Sequence, residues 1–249
     1  MILSSEIYDE LVELHKKLES GGKLFTRAQL DVFYDNFYRR FAPDKLKNLD
    51  GEELLETLHN HSNKDSLVYW LEFKNDEEFP NRFGSIAGGS ALKFGIYKRK
   101  ETGAWMTGSP ANQVELSLED AIELARKSRD QLIKGVELLG KLPSNASDED
   151  YIKLQKDMDE LLPDISNTAW GHKYFSLNFP EKLAPYHNLG YQRYHLIKLL
   201  IIPPNVEGRY ILGGRYATIT REINIHMNHL EDLLNYRNGS VHRYWRVGT

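Results

Sequence analysis

Apolar residues return at helical spacing through most of this chain, and one stretch breaks the rhythm. Leu3, Ile7, Leu11, Leu14 and Leu18 fall three or four residues apart, which puts them on one face of a helix over residues 2–18. Gly21 and Gly22 stop it. Thr26 is placed to cap a second helix carrying Leu30, Phe33, Phe37 and Phe41 before Pro43, and Asp50 a short third one over residues 52–58. Ser117 with Asp120 has capping-box spacing, with an acid in place of the usual Glu or Gln. It starts the longest helix, to about residue 142, where Pro143 follows. Residues 147–162 read as another amphipathic helix, ended by Pro163. Further helices are predicted near 170–177, 192–201, 210–223 and 226–236. Residues 67–73, LVYWLEF, are apolar almost throughout and fit either a buried strand or a helical turn.

The break falls at residues 83–108, FGSIAGGSALKFGIYKRKETGAWMTG. A Gly/Ser-rich loop leads into a predicted strand over 92–98, a turn over 100–103 and a return strand over 104–107. The expected fold is therefore mainly α (α+β): a helical domain with an inserted β-hairpin or small antiparallel sheet. At 249 residues, a single module is the simplest organisation. Two lobes, 1–108 and 109–249, are the alternative.

Charge is distributed in blocks. Residues 1–80 carry 10 Lys/Arg against 17 Asp/Glu, and residues 81–110 carry 5 against 1. Residues 111–165 carry 7 against 13, and residues 166–249 carry 10 against 5. Two basic blocks thus alternate with two acidic ones. They can meet as a positive face for a polyanion, or pair with the acidic blocks as solvated ion pairs. The chain has no Cys, which fits a cytoplasmic setting. The acidic, amphipathic start is no signal peptide. The longest apolar run, 196–204, contains Lys198 and is too short to span a bilayer.

Several strings imitate known chemistry. GVELLGKL at 135–142 has phosphate-loop spacing, but Leu142 replaces the required Ser/Thr and the string lies in a predicted helix. Glu72-Phe73-Lys74 matches an acid-x-Lys nuclease element, with Asp50 or Asp65 as a second acid. His59 and His61 suit a shared metal only on a strand, and no third ligand is evident. Gly84, Gly88 and Gly89 fit an anion nest or a flexible connection. Residues 169–200 are rich in aromatics and contain His172, His187 and His195. Their spacing favours core packing with hydrogen-bonded imidazoles over a metal site. Strand alternation would set Phe94, Ile96 and Lys98 on one face, with Lys93, Gly95, Tyr97 and Arg99 on the other.

Three segments resemble the region ahead of the ATPase module in McrB-like bacterial AAA+ proteins. They are FGSIAGGSALKFGIYKRKETGAWMTG, WGHKYFSLNFPEKLAPYH and the ending LNYRNGSVHRYWRVGT. The second carries a W-x-x-K-Y-x-x-x-x-F-P-x-K pattern in Trp170, Lys173, Tyr174, Phe179, Pro180 and Lys182. HRYWRVGT is similar to the first strand of an EVE or PUA-like domain. The resemblance spans about residues 30–249. It implies an N-terminal, target-sensing module in restriction and antiviral defence. DNA, possibly modified, would be its ligand. The AAA+ motor would lie on the same full-length protein, with a nuclease as partner. No complete Walker A or Walker B is present, so the resemblance assigns nucleotide hydrolysis to other sequence.

The first expectation is thus a noncatalytic nucleic-acid-binding module without metal or cofactor. Arg82, Lys93, Lys98, Arg99 and Lys100 would hold phosphates, and Tyr97 or Trp105 would stack on bases. Arg193, Arg209 and Arg215 would extend the surface. The resemblance further implies base extraction into an aromatic cage of Tyr97, Trp105 and Trp170. Two alternatives stand beside it. One is a protein-interaction domain docking the AAA+ ring or the nuclease. The other is a metal-dependent nuclease using Glu72 and Lys74.

Overall fold

The structure, a computed structural model, describes residues 1–74, 83–202, 206 and 208–239. It is mainly helical, with one small antiparallel sheet. The helices before the sheet are α1 (Ser5–Ser20), α2 (Arg27–Phe41), α3 (Pro43–Leu46), α4 (Gly51–Leu58) and α5 (Leu67–Tyr69). Those after it are α6 (Leu118–Lys141), α7 (Asp148–Leu161), α8 (Ala169–Asn178), α9 (Leu189–Lys198), α10 (Arg209–Ile223) and α11 (Met227–Asn238).

Local sequence sets most helix starts. Thr26 and Gln29 close a capping box on α2, and Ser147 with Asp150 closes another on α7. Ser117 accepts from the Asp120 amide at the head of α6. Each cap satisfies amides that the first turn leaves unpaired. The helices bury their apolar stripes in one cluster that runs from Leu3 to Leu234. Each fully buried Leu or Phe in it contributes about 1.5–3 kcal/mol. α6 presents Ala121, Ala125, Leu132, Gly135 and Leu139 to α3, α4, α7 and α8. A Cβ on Gly135 would lie 2.3 Å from Phe175 Cζ, so glycine allows α8 its close approach. The string GVELLGKL lies in α6 and its end, not in a phosphate loop.

The ambiguous residues 67–73 are helical. α5 continues into a π-helical turn, Trp70–Lys74, with Trp70, Leu71 and Glu72 buried. The predicted strand over 92–98 is mostly not a strand. Ser90 caps a 3-10 turn, Ala91–Phe94, which ends at Gly95 with φ 80°. Only Tyr97–Lys98 pairs as β1. β2 (Trp105–Ser109) pairs with it, with Lys98 opposite Trp105. A third strand, β3 (Asn112–Glu115), extends the sheet in the order β1-β2-β3. Among the described residues no helix is long and apolar enough to cross a membrane.

Candidate functional site

Two of the ribbon's cations, Lys93 and Lys98, are neutralised by its own fold. Lys93 Nζ donates to Glu72 Oε1 at 2.5 Å, Ile86 O at 2.7 Å and Gly88 O at 2.9 Å. All three of its N–H groups are used. Lys98 Nζ lies 2.6 Å from Glu56 Oε1 and 5.4 Å from the centre of the Trp105 ring. Burial pushes the Glu56 carboxyl up, but donors from Lys98 and Asn60 outweigh it and hold the pKa below its ordinary value. Arg99 Nη2 and Tyr97 Oη each donate to Gln113 Oε1 at 2.9 Å. Lys100 is exposed on the turn.

Trp105 is only 8% exposed, so the expected stacking face is packed against the core. Alternation fails as well, because Gly95 redirects the chain before β1. Phe94 and Ile96 are still buried. Arg82 and the ending HRYWRVGT lie outside the described residues.

The acid-x-Lys element is not on a strand either. Glu72 sits in the π-helical turn that Lys74 closes. Its carboxylate meets Lys93 and approaches His61 Nε2 at 3.4 Å. Burial raises its pKa, and hydrogen bonds from His61 and Lys93 pull it below the ordinary value. Asp50 instead binds Arg126 at 2.7 Å, and Asp65 approaches Arg40 at 3.5 Å. Among the described residues no group of three or more ligand-type side chains is arranged for a metal. His59 is buried, and desolvation lowers its pKa to about 3.

A different site emerges where distant segments meet. A cleft of about 810 Å³ opens between the glycine loop and the starts of three helices. Gly84, Ser85, Ile86, Ala87 and Lys93 form one wall. Thr168, Ala169 and Trp170 bring the start of α8, and Asn188 and Leu189 the start of α9. Arg209 opens α10, and Glu231 and Asn235 come from α11. Tyr186, His187, Tyr191 and His195 complete it. Thr168 caps α8 through the Gly171 amide at 3.1 Å, and Asn188 caps α9 through the Gly190 amide at 2.8 Å. Three helix N-termini give this cleft partial positive charge.

Two loop fasteners shape the wall. His187 Nε2 donates to Phe83 O at 2.7 Å, and it lies 3.2 Å from Gly84 O. Lys93 holds the far end through Ile86 O and Gly88 O. Gly84 has φ +64°, and a Cβ there would lie 2.6 Å from Pro185 O. No other residue fits at that point without a shift.

Arg209 Nη1 donates to His187 O at 2.6 Å, and Nη2 to Asn167 O at 3.1 Å. These partners are carbonyl oxygens and do not neutralise it; Asp159 is the acid whose charge acts on it. Burial lowers its pKa, yet a guanidinium stays cationic.

The histidines of the aromatic stretch are buried and hydrogen-bonded. His172 Nε2 donates to Ala184 O at 2.9 Å. Burial lowers its pKa to about 3 and that of His187 well below its ordinary value, so both are neutral.

Of the residues expected to bind, the structure brings Lys93, Arg209 and Trp170 to the cleft. Arg215 is elsewhere: its Nη2 is 2.9 Å from Asp148 Oδ2. It lines a separate groove with Met1, Leu200, Ile202 and Val206. Arg193 is half-buried on α9. Tyr97 and Trp105 do not line the cleft with Trp170, so the expected three-ring cage is not assembled. Sequence reading missed Ile86, Tyr186, Tyr191 and His195 as site residues. The aromatic density of 169–200 was the available signal. No protein-family model, curated protein or solved structure matches the chain.

Proposed function

We propose that this chain is a noncatalytic nucleic-acid-binding module that receives one unstacked nucleotide in the cleft. One observation carries the reading: an aromatic wall, Arg209 held by carbonyl oxygens and three helix N-termini converge on a single concavity. Its volume suits a small planar group with attached polar atoms. Base stacking on Tyr191, the half-buried ring of the wall, would supply sequence-tolerant affinity. Arg209 and the helix starts would face the phosphate. In line with the family resemblance, the module would sense a DNA target for an AAA+ motor and a nuclease partner.

Fluorescence polarisation with a labelled mixed-sequence twenty-mer, as single strand and as duplex, tests this. Binding should weaken steeply between two salt concentrations, because phosphate contacts release counterions. Tyr191→Ala should cost about 1–3 kcal/mol of affinity. No binding of either form at low salt refutes the reading.

The assembly alternative has its own support. Ile197, Leu200, Ile202 and Val206 are 56%, 77%, 83% and 54% exposed. Large apolar side chains exposed close together are a mark of protein contact. Ile202→Glu should then abolish partner assembly and leave oligonucleotide binding unchanged. The nuclease alternative finds no comparable support, because Asp50 and Asp65 are engaged away from Glu72.

A further inference from the structure

We propose that His195 determines specificity in the cleft, offering a neutral Nε2–H to a carbonyl oxygen of the bound base. The inference deepens the reading above and rests on it. A chain of hydrogen bonds assigns the proton. Glu10 Oε1 and Oε2 accept from Arg237 Nε at 2.9 Å and Nη2 at 2.8 Å. Arg237 Nη1 then donates to Asn238 Oδ1 at 2.9 Å, which fixes the orientation of that amide. Asn238 Nδ2 must therefore donate to His195 Nδ1, 3.0 Å away. Nδ1 is an acceptor, so the proton resides on Nε2.

The ring cannot easily turn to exchange these roles. It stacks on Tyr186 with centroids 4.6 Å apart and planes 20° apart, and Tyr194 abuts it edge-on at 5.0 Å. His195 is 1% exposed and lines the cleft. Among the described residues Nε2 has no hydrogen-bond partner. Burial lowers the pKa of His195 to about 4, which keeps it uncharged at neutral pH. A neutral donor in a desolvated pocket suits a carbonyl oxygen. A phosphate is better served by the cationic Arg209. A site built to donate one hydrogen bond rejects an isostere that cannot accept it. The ligand class is therefore a base bearing a ring carbonyl.

Two measurements on the full chain test this. Long-range proton–nitrogen correlation spectra of the ligand-free protein at pH 7 should show His195 protonated on Nε2 alone. In Asn238→Leu the two tautomers should mix. Protonation on Nδ1, or on both nitrogens, overturns the assignment. Polarisation titrations then compare a thymine ten-mer with one carrying difluorotoluene, a thymine isostere without carbonyl oxygens. Wild type should favour thymine about tenfold. His195→Phe, which keeps the stacking ring, should bring the two within about twofold. Should that variant fail to fold, Asn238→Leu should cut the preference to about threefold.

A preference retained in the folded variant overturns the proposal, as does its absence in wild type. Failure of the thymine ten-mer while the mixed-sequence twenty-mer binds overturns this inference alone. Failure of both probes overturns the cleft reading with it.

Discussion

The β-ribbon and the cleft use positive charge in opposite ways. The ribbon has the densest cations in the sequence, yet Glu72 and Glu56 compensate Lys93 and Lys98, which leaves Arg99, held by the Gln113 amide, and the exposed Lys100. The cleft has a guanidinium held by carbonyl oxygens, Arg209, together with three helix N-termini and a wall of rings. Charge density along a chain is thus a poor measure of charge available to a ligand. What counts is whether a carboxylate already sits within about 4 Å.

The pH dependence of stability should give the largest effect, set by the buried histidines rather than by the ribbon's carboxylates. His59, His172, His187, His195 and His226 are neutral in the fold, with pKa values lowered from the ordinary 6.5. A lowered folded value means the unfolded chain binds protons first. Their contribution is complete above pH 6.5 and is lost as pH falls below it. Urea titrations should show a loss of several kcal/mol between pH 7 and 5. Glu56 and Glu72 also have lowered values, but their contribution is lost only below about pH 4.5. A flat profile from 7 to 5 would mean these histidines are not buried neutral.

The glycines sharpen the contrast further. Gly84→Ala should destabilise by about 2–3 kcal/mol, because positive φ and the close Pro185 oxygen act together. Gly103→Ala in the ribbon turn has φ +74° but open space around it, and should cost about 1 kcal/mol. Equal melting-temperature shifts would break the distinction. Smaller still is the contrast between lysines. Lys93→Met leaves Glu72, 7% exposed, with only the longer His61 contact. Because Lys93 itself is partly exposed, the loss should be about 2 kcal/mol. Lys100→Met should stay within about 0.5 kcal/mol. Denaturant midpoints decide between these values.

Much of the helical frame was readable because its signals are local. Thr26 with Gln29 and Ser147 with Asp150 sit within four residues of what they cap. Residues 67–73 gave no period because Leu67, Val68, Trp70 and Leu71 are buried on more than one side. β3 left no trace, since its four residues are all exposed and show no apolar alternation. The strand expected over 92–98 failed at a signal that was present: Ser90 opens the 3-10 turn and Gly95 closes it. The cleft was illegible for a different reason. Its fasteners join residues 103 and 104 positions apart, His187 to Gly84 and Phe83. The compensation of Lys98 by Glu56 spans 42 positions. Contacts of that range leave no mark in local pattern.

Photocrosslinking tests most directly which region meets the ligand. An oligonucleotide carrying 5-iodouracil is irradiated in complex with the full chain, and the attached residue is located by mass spectrometry. Attachment at Tyr191, the half-buried ring of the cleft, is the predicted result. Attachment confined to Tyr97 or Trp105 would return recognition to the ribbon and contradict the account.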